Sequence, residues 1–483
     1  MSPPGRPKGE YRSAQHEGGS MSPPGRPKGE YRSAQHEGGM SSSSGTEPLP
    51  RASLRRALGL RGAVALGVGG TIGGGIFVLV GQTAALAGPA ALLAFALALV
   101  ASLLIALPYA ELACRYPEAG GGYAFAREVM GRPWGFLMGW VFWGAYLFVS
   151  GYVTLGFGGY LNVLTGVPPT WSAVGLVAAC ILVNVAGVKL SGQVQVLVVV
   201  LVLAGLLGFA VSGLPSVRAA HFTPWMPYGL PGLLSAALTA FLAFGGFDMV
   251  AAAGEEIERP ERNLPLAILL TLALVLLVYL LVVFVALGTL DWRALGASGA
   301  PLADAARVFL GDGGGRLVAA VAVLTMAATA NAVLVVTSRI SFAMARDGLL
   351  PAVLARVGPA TGAPWAAVLL SGGLLMLVAL AGSLRLSTSI GGFLYVLHFV
   401  LPLWALVKLR RQGGPAPAFR MPFAPVLLPL AFAMSLLLLV SSGAMGLAGG
   451  LAWLAVGLGA GWAGGAMRGA GRGGARGGAA SRQ

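Results

Sequence analysis

The chain has 483 residues, of which 56% are hydrophobic and only 10% are charged, with a formal net charge of +15. Soluble globular domains carry about 25% charged residues, so this composition excludes an ordinary soluble domain and indicates an integral membrane protein in a lipid bilayer. The Lys and Arg residues lie mostly in short loops between apolar segments, where they determine topology, so we expect no nucleic acid partner.

The two ends of the chain are polar. Residues 1–19 recur at 21–39 and are rich in Gly and Pro without an apolar face, so we expect residues 1–50 to form a disordered tail. Residues 467–483 carry arginines and predict a basic cytoplasmic tail. The two cysteines, Cys114 and Cys180, form neither a disulfide framework nor a metal-binding spacing, and we expect no metal and no cofactor.

The apolar segments between these ends predict an all-α protein with twelve membrane-spanning helices, since a span needs about 20 apolar residues. They lie near residues 59–87, 90–113, 133–164, 171–188, 192–213, 230–253, 264–289, 316–343, 364–382, 388–408, 424–442 and 447–466. Of the 32 Lys and Arg residues, 21 fall on the predicted inner side and five on the outer side, with the rest in the repeated tail. This bias predicts a multi-pass protein of the plasma (inner) membrane with both termini in the cytoplasm.

Two pieces between spans do not cross the membrane. Residues 115–132 predict an amphipathic cytoplasmic linker, and residues 299–313 predict a short external helix before the eighth span.

Two glycine-rich interruptions fall inside predicted spans, GVGGTIGGGIF at 67–77 and AFLAFGGFD at 240–248. A broken helix is tolerated in lipid only beside protein or a water-filled cavity, and breaks at matching places in two halves are typical of secondary transporters. We therefore predict a five-plus-five inverted repeat of the LeuT type with discontinuous helices 1 and 6. The first repeat would cover residues 51–213, the second 214–411, and two accessory helices 412–466.

The first break could bind an anion. Gly73, Gly74 and Gly75 leave the backbone accessible, and free amides at the start of a half-helix favour a carboxylate. A helix-packing seam of small residues explains the same glycines equally well. At the second break, the unwound carbonyls could accept hydrogen bonds from an ammonium group. Asp248 within an apolar span is a candidate functional carboxylate, or a cap of the second half-helix.

Four segments in order, GGTIGGGIFVLVG, YPEAGGGYAFAREVMGRPWGFLMGW, FLAFGGFDMVAAAGEEIERPERNLPLAI and SRISFAMARDGLLP, resemble amino acid permeases. The resemblance is to the amino acid–polyamine–organocation superfamily, nearest its cationic amino acid transporter branch, and covers about residues 52 to 466. It implies that the first break holds the substrate carboxylate through Thr71, Ile72, Gly73, Gly74 and Gly75. It implies that the second break holds the amino group and forms an aromatic gate through Phe241, Leu242, Ala243, Phe244 and Gly245. Alignment of helices three and eight adds Tyr146, Ser150, Asn331 and Val333 near the substrate side chain.

The same resemblance gives Asp248 a role in coupling or gating. Glu255 and Glu256, at the cytoplasmic end of the sixth helix, predict an inner-gate ion-pair network with Arg115 or Arg127, although a solvated charge run is nearly as good an explanation. For His398 in the tenth span we expect a packed histidine rather than a proton relay. We expect Asn184 and Asn331 to form hydrogen bonds between helices.

The sequence does not decide whether transport is coupled to protons or to sodium ions. Proton-coupled relatives often carry a lysine in the fifth helix, where this chain has Val202, which puts proton symport in doubt. The mechanisms that remain are exchange, facilitated diffusion and coupling through another group.

The predicted function is secondary active transport of neutral amino acids by alternating access, because few charges lie where a substrate side chain would bind. A cationic amino acid or polyamine transporter or exchanger is the alternative, as is a non-transporting amino acid sensor. An enzyme is not expected, because only Asp248 and His398 could act as an acid–base pair and no nucleophile or metal triad accompanies them.

Overall fold

The computed structural model describes residues 58–116, 122–187, 192–252, 254, 257–359, 361–413, 417 and 419–463. The helices before the middle of the chain are α1 Leu60–Thr71, α2 Gly74–Ala87, α3 Ala91–Arg115, α4 Gly122–Met130, α5 Arg132–Thr165, α6 Pro169–Val185, α7 Gly192–Gly213 and α8 Gly229–Ala243. Those that follow are α9 Phe247–Ala252, α10 Pro260–Thr289, α11 Trp292–Ala297, α12 Pro301–Arg346, α13 Trp365–Leu380, α14 Leu384–Gln412, α15 Ala424–Ser441 and α16 Gly443–Ala463. The predicted tails lie outside the described residues.

Eight helical stretches in the described part of the chain are long and apolar enough to cross a membrane. Three further apolar helices, α6, α8 and α13, are shorter. Together they make the chain an all-α, multi-pass membrane protein.

Both glycine-rich segments interrupt a helix. The first interruption falls at Ile72 and Gly73, between α1 and α2, where the ψ of Ile72 is 71° and the φ and ψ of Gly73 are −103° and −144°. The second falls between α8 and α9, where Gly246 has a φ of 116°. Residues other than glycine rarely adopt that φ. The glycine at this position therefore allows the backbone to turn between α8 and α9.

The two predicted non-spanning pieces are helical in their described parts. The cytoplasmic linker contains α4, nine residues long. The predicted short helix begins at Pro301 and ends at a kink at Gly311, whose φ of 67° and ψ of −170° are not helical. Element α12 therefore consists of two helices, the short one predicted before the eighth span and a longer one that continues to Arg346.

Helix α16 packs on α5 through a pair of tryptophans. The indole N–H of Trp140 donates to the carbonyl of Trp453 at 2.8 Å, and that of Trp453 donates to the carbonyl of Trp140 at 3.1 Å. The two rings stack with centroids 5.0 Å apart. Both indole N–H groups are thereby satisfied, and α16 supports the helix that carries Tyr146.

Candidate functional site

The two helix breaks touch through their backbones. A Cβ added to Gly246 would lie 2.4 Å from the carbonyl carbon and oxygen of Gly70, and one added to Gly75 would lie 2.9 Å from the Cα of Ala243. Only glycine leaves room for these approaches. The glycines are thus both packing residues and the cause of the breaks, so the two interpretations of the sequence apply together.

Tyr279 on α10 ties the two breaks to each other. Its buried hydroxyl lies 3.0 Å from the carbonyl oxygen of Thr71 and 3.2 Å from that of Ala243. Each carbonyl belongs to the last residue of a helix before a break, and that of Thr71 also accepts a hydrogen bond from the amide of Gly73 at 2.8 Å. The Tyr279 hydroxyl has one proton, which the two carbonyls share, so a single side chain bridges both helix ends.

A small cavity of about 40 Å³ lies between the breaks. Eight residues predicted for the site line it: Thr71, Gly73, Gly74, Gly75, Tyr146, Leu242, Gly245 and Val333. Seven others complete its wall: Gly70, Val149, Tyr152, Val153, Gly246, Thr329 and Tyr395. All of these are uncharged residues.

The cavity has free backbone donors at the first break. Gly74 and Gly75 begin α2, so their amides have no acceptor within that helix. The hydroxyl of Thr71 is buried and has no hydrogen-bond partner among the described residues. The rest of the lining combines side chains that carry a hydroxyl, Tyr146, Tyr152, Thr329 and Tyr395, with aliphatic ones, Val149, Val153, Leu242 and Val333. The cavity therefore offers unpaired donors at the start of α2 within an uncharged lining.

Asp248 lies behind Tyr146 and Tyr395 of the cavity lining and is 2% exposed. Its carboxylate accepts hydrogen bonds from the hydroxyl of Tyr146 at 2.8 Å, the amide of Gly246 at 3.2 Å and the hydroxyl of Tyr395 at 3.4 Å. Among the described residues no Lys, Arg or His forms an ion pair with it. The bond from Gly246 gives Asp248 a local structural role at the start of α9, while the two tyrosines connect it to the cavity.

Four residues predicted for the site contact other residues and do not line the cavity: Ser150, Asn331, Phe241 and Phe244. The hydroxyl of Ser150 donates to the carbonyl of Tyr146 at 2.7 Å. Asn331 accepts a hydrogen bond from the side-chain amide of Asn184 at 2.7 Å, as predicted for a contact between helices. Phe241 packs edge-on against Phe399, with centroids 6.2 Å apart.

Phe244 fills space between helices as well, since its ring lies 5.5 Å from that of Tyr279 and 6.3 Å from that of Phe95. Ile72 and Ala243 are buried at the two breaks, but their side chains do not line the cavity. The aromatic gate predicted at the second break is therefore not formed by Phe241 or Phe244 in this structure. The aromatic rings at the cavity are those of Tyr146, Tyr152 and Tyr395.

The predicted inner-gate network stays a prediction, because Glu255 and Glu256 lie outside the described residues. Among the described residues, Arg115 pairs with no carboxylate. Arg127 pairs with Asp347 at 2.8 Å and with its neighbour Glu128 at 3.1 Å.

This pairing ties α4 to the end of α12. Tyr123 adds a second bond, from its hydroxyl to the carboxylate of Asp347 at 2.5 Å. Burial and the hydrogen bond to Asp347 raise the pKa of Tyr123 above its ordinary value. Tyr123 therefore stays a neutral donor to Asp347.

His398 on α14 is fully buried among aromatic rings. Its imidazole stacks on Phe142 with centroids 4.5 Å apart and lies 4.1 Å from the ring of Phe399. Neither ring nitrogen has a hydrogen-bond partner among the described residues. The packing agrees with the prediction, but the missing partners do not fit a purely structural histidine.

Two interrupted helices that expose backbone groups to an uncharged cavity inside an apolar bundle define a membrane transport protein. No group of three or more His, Cys, Asp or Glu residues in the described part of the chain could bind a metal.

Comparison with known proteins identifies the family. A model of the amino acid permease family matches residues 58–454, and the chain belongs to that family. It is 30% identical to a methylthioribose transporter of Bacillus subtilis over 428 residues, and 31% identical to the branched-chain amino acid permease BcaP of the same organism over 434 residues. Each alignment covers 84% of this chain and 92% of the relative. Cationic amino acid transporter 4 of Mus musculus is 33% identical over 392 residues, 76% of this chain and 61% of the relative. These relatives are transporters and permeases rather than enzymes, so the chain is an amino acid permease of the superfamily that its motifs indicate.

Proposed function

We propose that the protein is a secondary active transporter of neutral amino acids in the plasma membrane, with both termini cytoplasmic. The observation that carries this proposal is the uncharged cavity between two helix breaks, with free amides on one side. A zwitterion needs donors for its carboxylate and acceptors for its ammonium group, and the two breaks supply both from the backbone.

The proposed orientation of the substrate follows from the positions of these groups. The carboxylate would accept hydrogen bonds from the amides of Gly74 and Gly75, with the unpartnered hydroxyl of Thr71 as a further donor. The ammonium group would face the carbonyls that end α8, whose oxygens each have a second lone pair beside the hydrogen bond that they accept from Phe244, Gly245 or Tyr279. An aliphatic side chain would contact the aliphatic residues of the lining, such as Val149 and Val333, where a charged side chain would lose its hydration without a partner.

Transport requires this site to open. A cavity of about 40 Å³ is far smaller than the roughly 300 Å³ at which pockets for small molecules begin, so an amino acid enters only when the walls separate. The amide of Glu258 donates to the carbonyl of Leu58 at 2.8 Å and joins the chain before α1 to the segment after α9. We propose that twelve spans form a five-plus-five inverted repeat with two accessory helices, and that separation at this contact opens the site to the cytoplasm.

The name of one relative favours cationic amino acids as the alternative substrate class, and Asp248 is a carboxylate close enough to the cavity to be considered for it. Tyr146 and Tyr395 stand between that carboxylate and the cavity, which favours a role in gating or coupling over contact with a basic side chain. Asp248 is thus the group proposed to couple transport to an ion.

Uptake and counterflow in proteoliposomes test the proposal. Proteoliposomes that contain the purified protein are loaded with unlabelled leucine, alanine or arginine, and the radiolabelled form of the same amino acid is offered outside. We expect counterflow of leucine and alanine and little of arginine, and none of the three for Gly74→Val, whose side chain would enter the space beside Val153 and Met326. Counterflow of arginine alone would establish the cationic alternative, and binding of leucine without flux would establish a sensor.

A further inference from the structure

One tyrosine hydroxyl of the cavity lining is not used by the fold. Of the three tyrosines that line the cavity, Tyr146 and Tyr395 donate their hydroxyl protons to Asp248. Tyr152 is 4% exposed, and its hydroxyl forms no hydrogen bond with a described residue. A buried hydroxyl without a partner is costly, and phenylalanine would fill the same space without that cost. This hydroxyl is therefore available to a molecule in the cavity.

Tyr152 lies on the face of α5 that borders the cavity. Four residues of α5 line the cavity, at spacings that place them on one side of the helix: Tyr146, Val149, Tyr152 and Val153. One turn beyond Tyr152, a Cβ added to Gly156 would lie 2.2 Å from Cγ2 of Val78 on α2. Helices α5 and α2 are thus in close contact there, and Tyr152 belongs to the last turn of α5 before that contact.

Helix α12 presents a second hydroxyl to the same cavity. Thr329 lies one turn before Val333, and both line the cavity. The hydroxyl of Thr329 donates to the carbonyl of Thr325 at 2.9 Å, which uses its proton and leaves its oxygen as an acceptor. A Cβ added to Gly73 would lie 2.7 Å from that oxygen, so the acceptor is beside the first break. Together, Tyr152 and Thr329 offer one donor and one acceptor to the cavity.

A hydroxyl group is complementary to this pair. It has one proton and two lone pairs, so it accepts a hydrogen bond from Tyr152 and donates one to Thr329. A hydrocarbon group in the same place would exclude water and leave the proton of Tyr152 without a partner. The neighbouring Val149 and Val333 match a methyl group instead. A short side chain that carries a hydroxyl and a methyl group therefore complements the lining.

We propose that the site prefers neutral amino acids with a side-chain hydroxyl, threonine above all, and that Tyr152 and Thr329 determine this preference. The threonine hydroxyl accepts a hydrogen bond from Tyr152 and donates one to Oγ1 of Thr329, while its methyl group contacts the aliphatic lining. Valine has the same shape without the hydroxyl, and alanine is related to serine in the same way. The inference rests on the proposed transport of neutral amino acids and names the substrate class within it.

Competition between these pairs of amino acids tests the inference. Purified protein is equilibrated with radiolabelled leucine and increasing concentrations of threonine, valine, serine or alanine, and the affinities are compared as two ratios, threonine to valine and serine to alanine. The variants are Tyr152→Phe and Thr329→Val, each of which removes one hydroxyl and keeps the shape of the side chain. The matched control is Thr325→Val, because Thr325 is one turn away on α12, does not line the cavity, and donates its hydroxyl to the carbonyl of Val321 at 2.6 Å.

We expect threonine to compete about tenfold more strongly than valine in the unaltered protein and in the control, as two neutral hydrogen bonds predict, with a similar ratio for serine and alanine. Both ratios should fall to about two or less in each variant. Ratios near one in the unaltered protein overturn the inference, as does a preference that persists in either folded variant. An equal loss of threonine and valine binding, with the ratio kept, is the result of a structural role and overturns it as well.

Counterflow of leucine and threonine in proteoliposomes separates this inference from the proposed function. If both amino acids undergo counterflow while threonine has no advantage over valine in binding, the preference is wrong and neutral amino acid transport stands. If no neutral amino acid undergoes counterflow, the transport function is wrong and this inference fails with it.

Discussion

Replacement of Gly246 by alanine tests whether the contact between the two helix breaks determines substrate binding. The added Cβ would lie 2.4 Å from the backbone carbonyl of Gly70 and 2.7 Å from the amide of Thr71, whereas ordinary contacts begin at 3.4 Å. The two breaks would have to separate by about 1 Å, and a misplacement of about 1 Å in an oriented site costs on the order of 100-fold. The φ of 116° adds a strain of about 1–3 kcal/mol for a residue with a side chain.

Gly131→Ala is the matched control, because it carries the strain without the contact. Gly131 has a φ of 94°, and a Cβ there would meet nothing within 4 Å. Equilibrium binding of radiolabelled leucine to the purified protein is the assay, with thermal unfolding measured alongside. We expect both variants to unfold at a lower temperature, and only Gly246→Ala to weaken leucine binding, by about 10- to 100-fold. Unchanged leucine affinity in Gly246→Ala would refute the reasoning that the close approach of the breaks shapes the site.

Three further predictions concern single side chains. Asp248→Asn keeps the shape of the buried group but not its charge, so leucine binding should change by less than about threefold while uptake falls by about tenfold or more; equal losses in both would mean that Asp248 only caps α9. Tyr279→Phe removes the one hydroxyl proton that the two carbonyls share, at a cost of about 1 kcal/mol, and leucine affinity should fall by roughly fivefold; normal affinity would show that the breaks hold their geometry without it. Asn331→Ala removes the bond to Asn184, worth about 0.6 kcal/mol, so thermal stability should fall slightly with leucine binding unchanged; loss of binding would place Asn331 at the substrate instead.

The sequence predicted the parts of the structure that depend on local chemistry. Glycine clusters within apolar segments interrupt helices wherever the backbone must bend, and both interruptions occur where the glycines are, at Gly73 and Gly246. The bond between Asn184 and Asn331 was also predictable, because amides within apolar helices need partners. The twelve-span topology and the inverted repeat stay predictions.

The residues that the sequence did not reveal depend on how the helices are rotated. Tyr279 and Tyr395 lie on long helices that are apolar on all sides, so no amphipathic pattern distinguishes the face toward the breaks. Thr329 lies one turn before the predicted Val333, and only the packing of α12 shows that both line the cavity.

Ion pairing between helix ends depends on the fold in the same way. Arg127 could have paired with any acidic residue on the cytoplasmic side. Its partner Asp347 follows the end of α12, 220 residues further along the chain. Sequence spacing carries no signal for a contact of that kind.

Competition for leucine binding by analogues that lack one end of the zwitterion tests the central claim most directly. The claim is that backbone groups at the α1–α2 and α8–α9 breaks bind the carboxylate and the ammonium group separately. Isopentylamine, which lacks the carboxylate, and 4-methylpentanoate, which lacks the amine, should each compete about 10- to 100-fold more weakly than leucine, the loss expected for hydrogen bonds to a charged group. If either analogue competes as well as leucine does, the corresponding break does not hold the substrate and the account is contradicted.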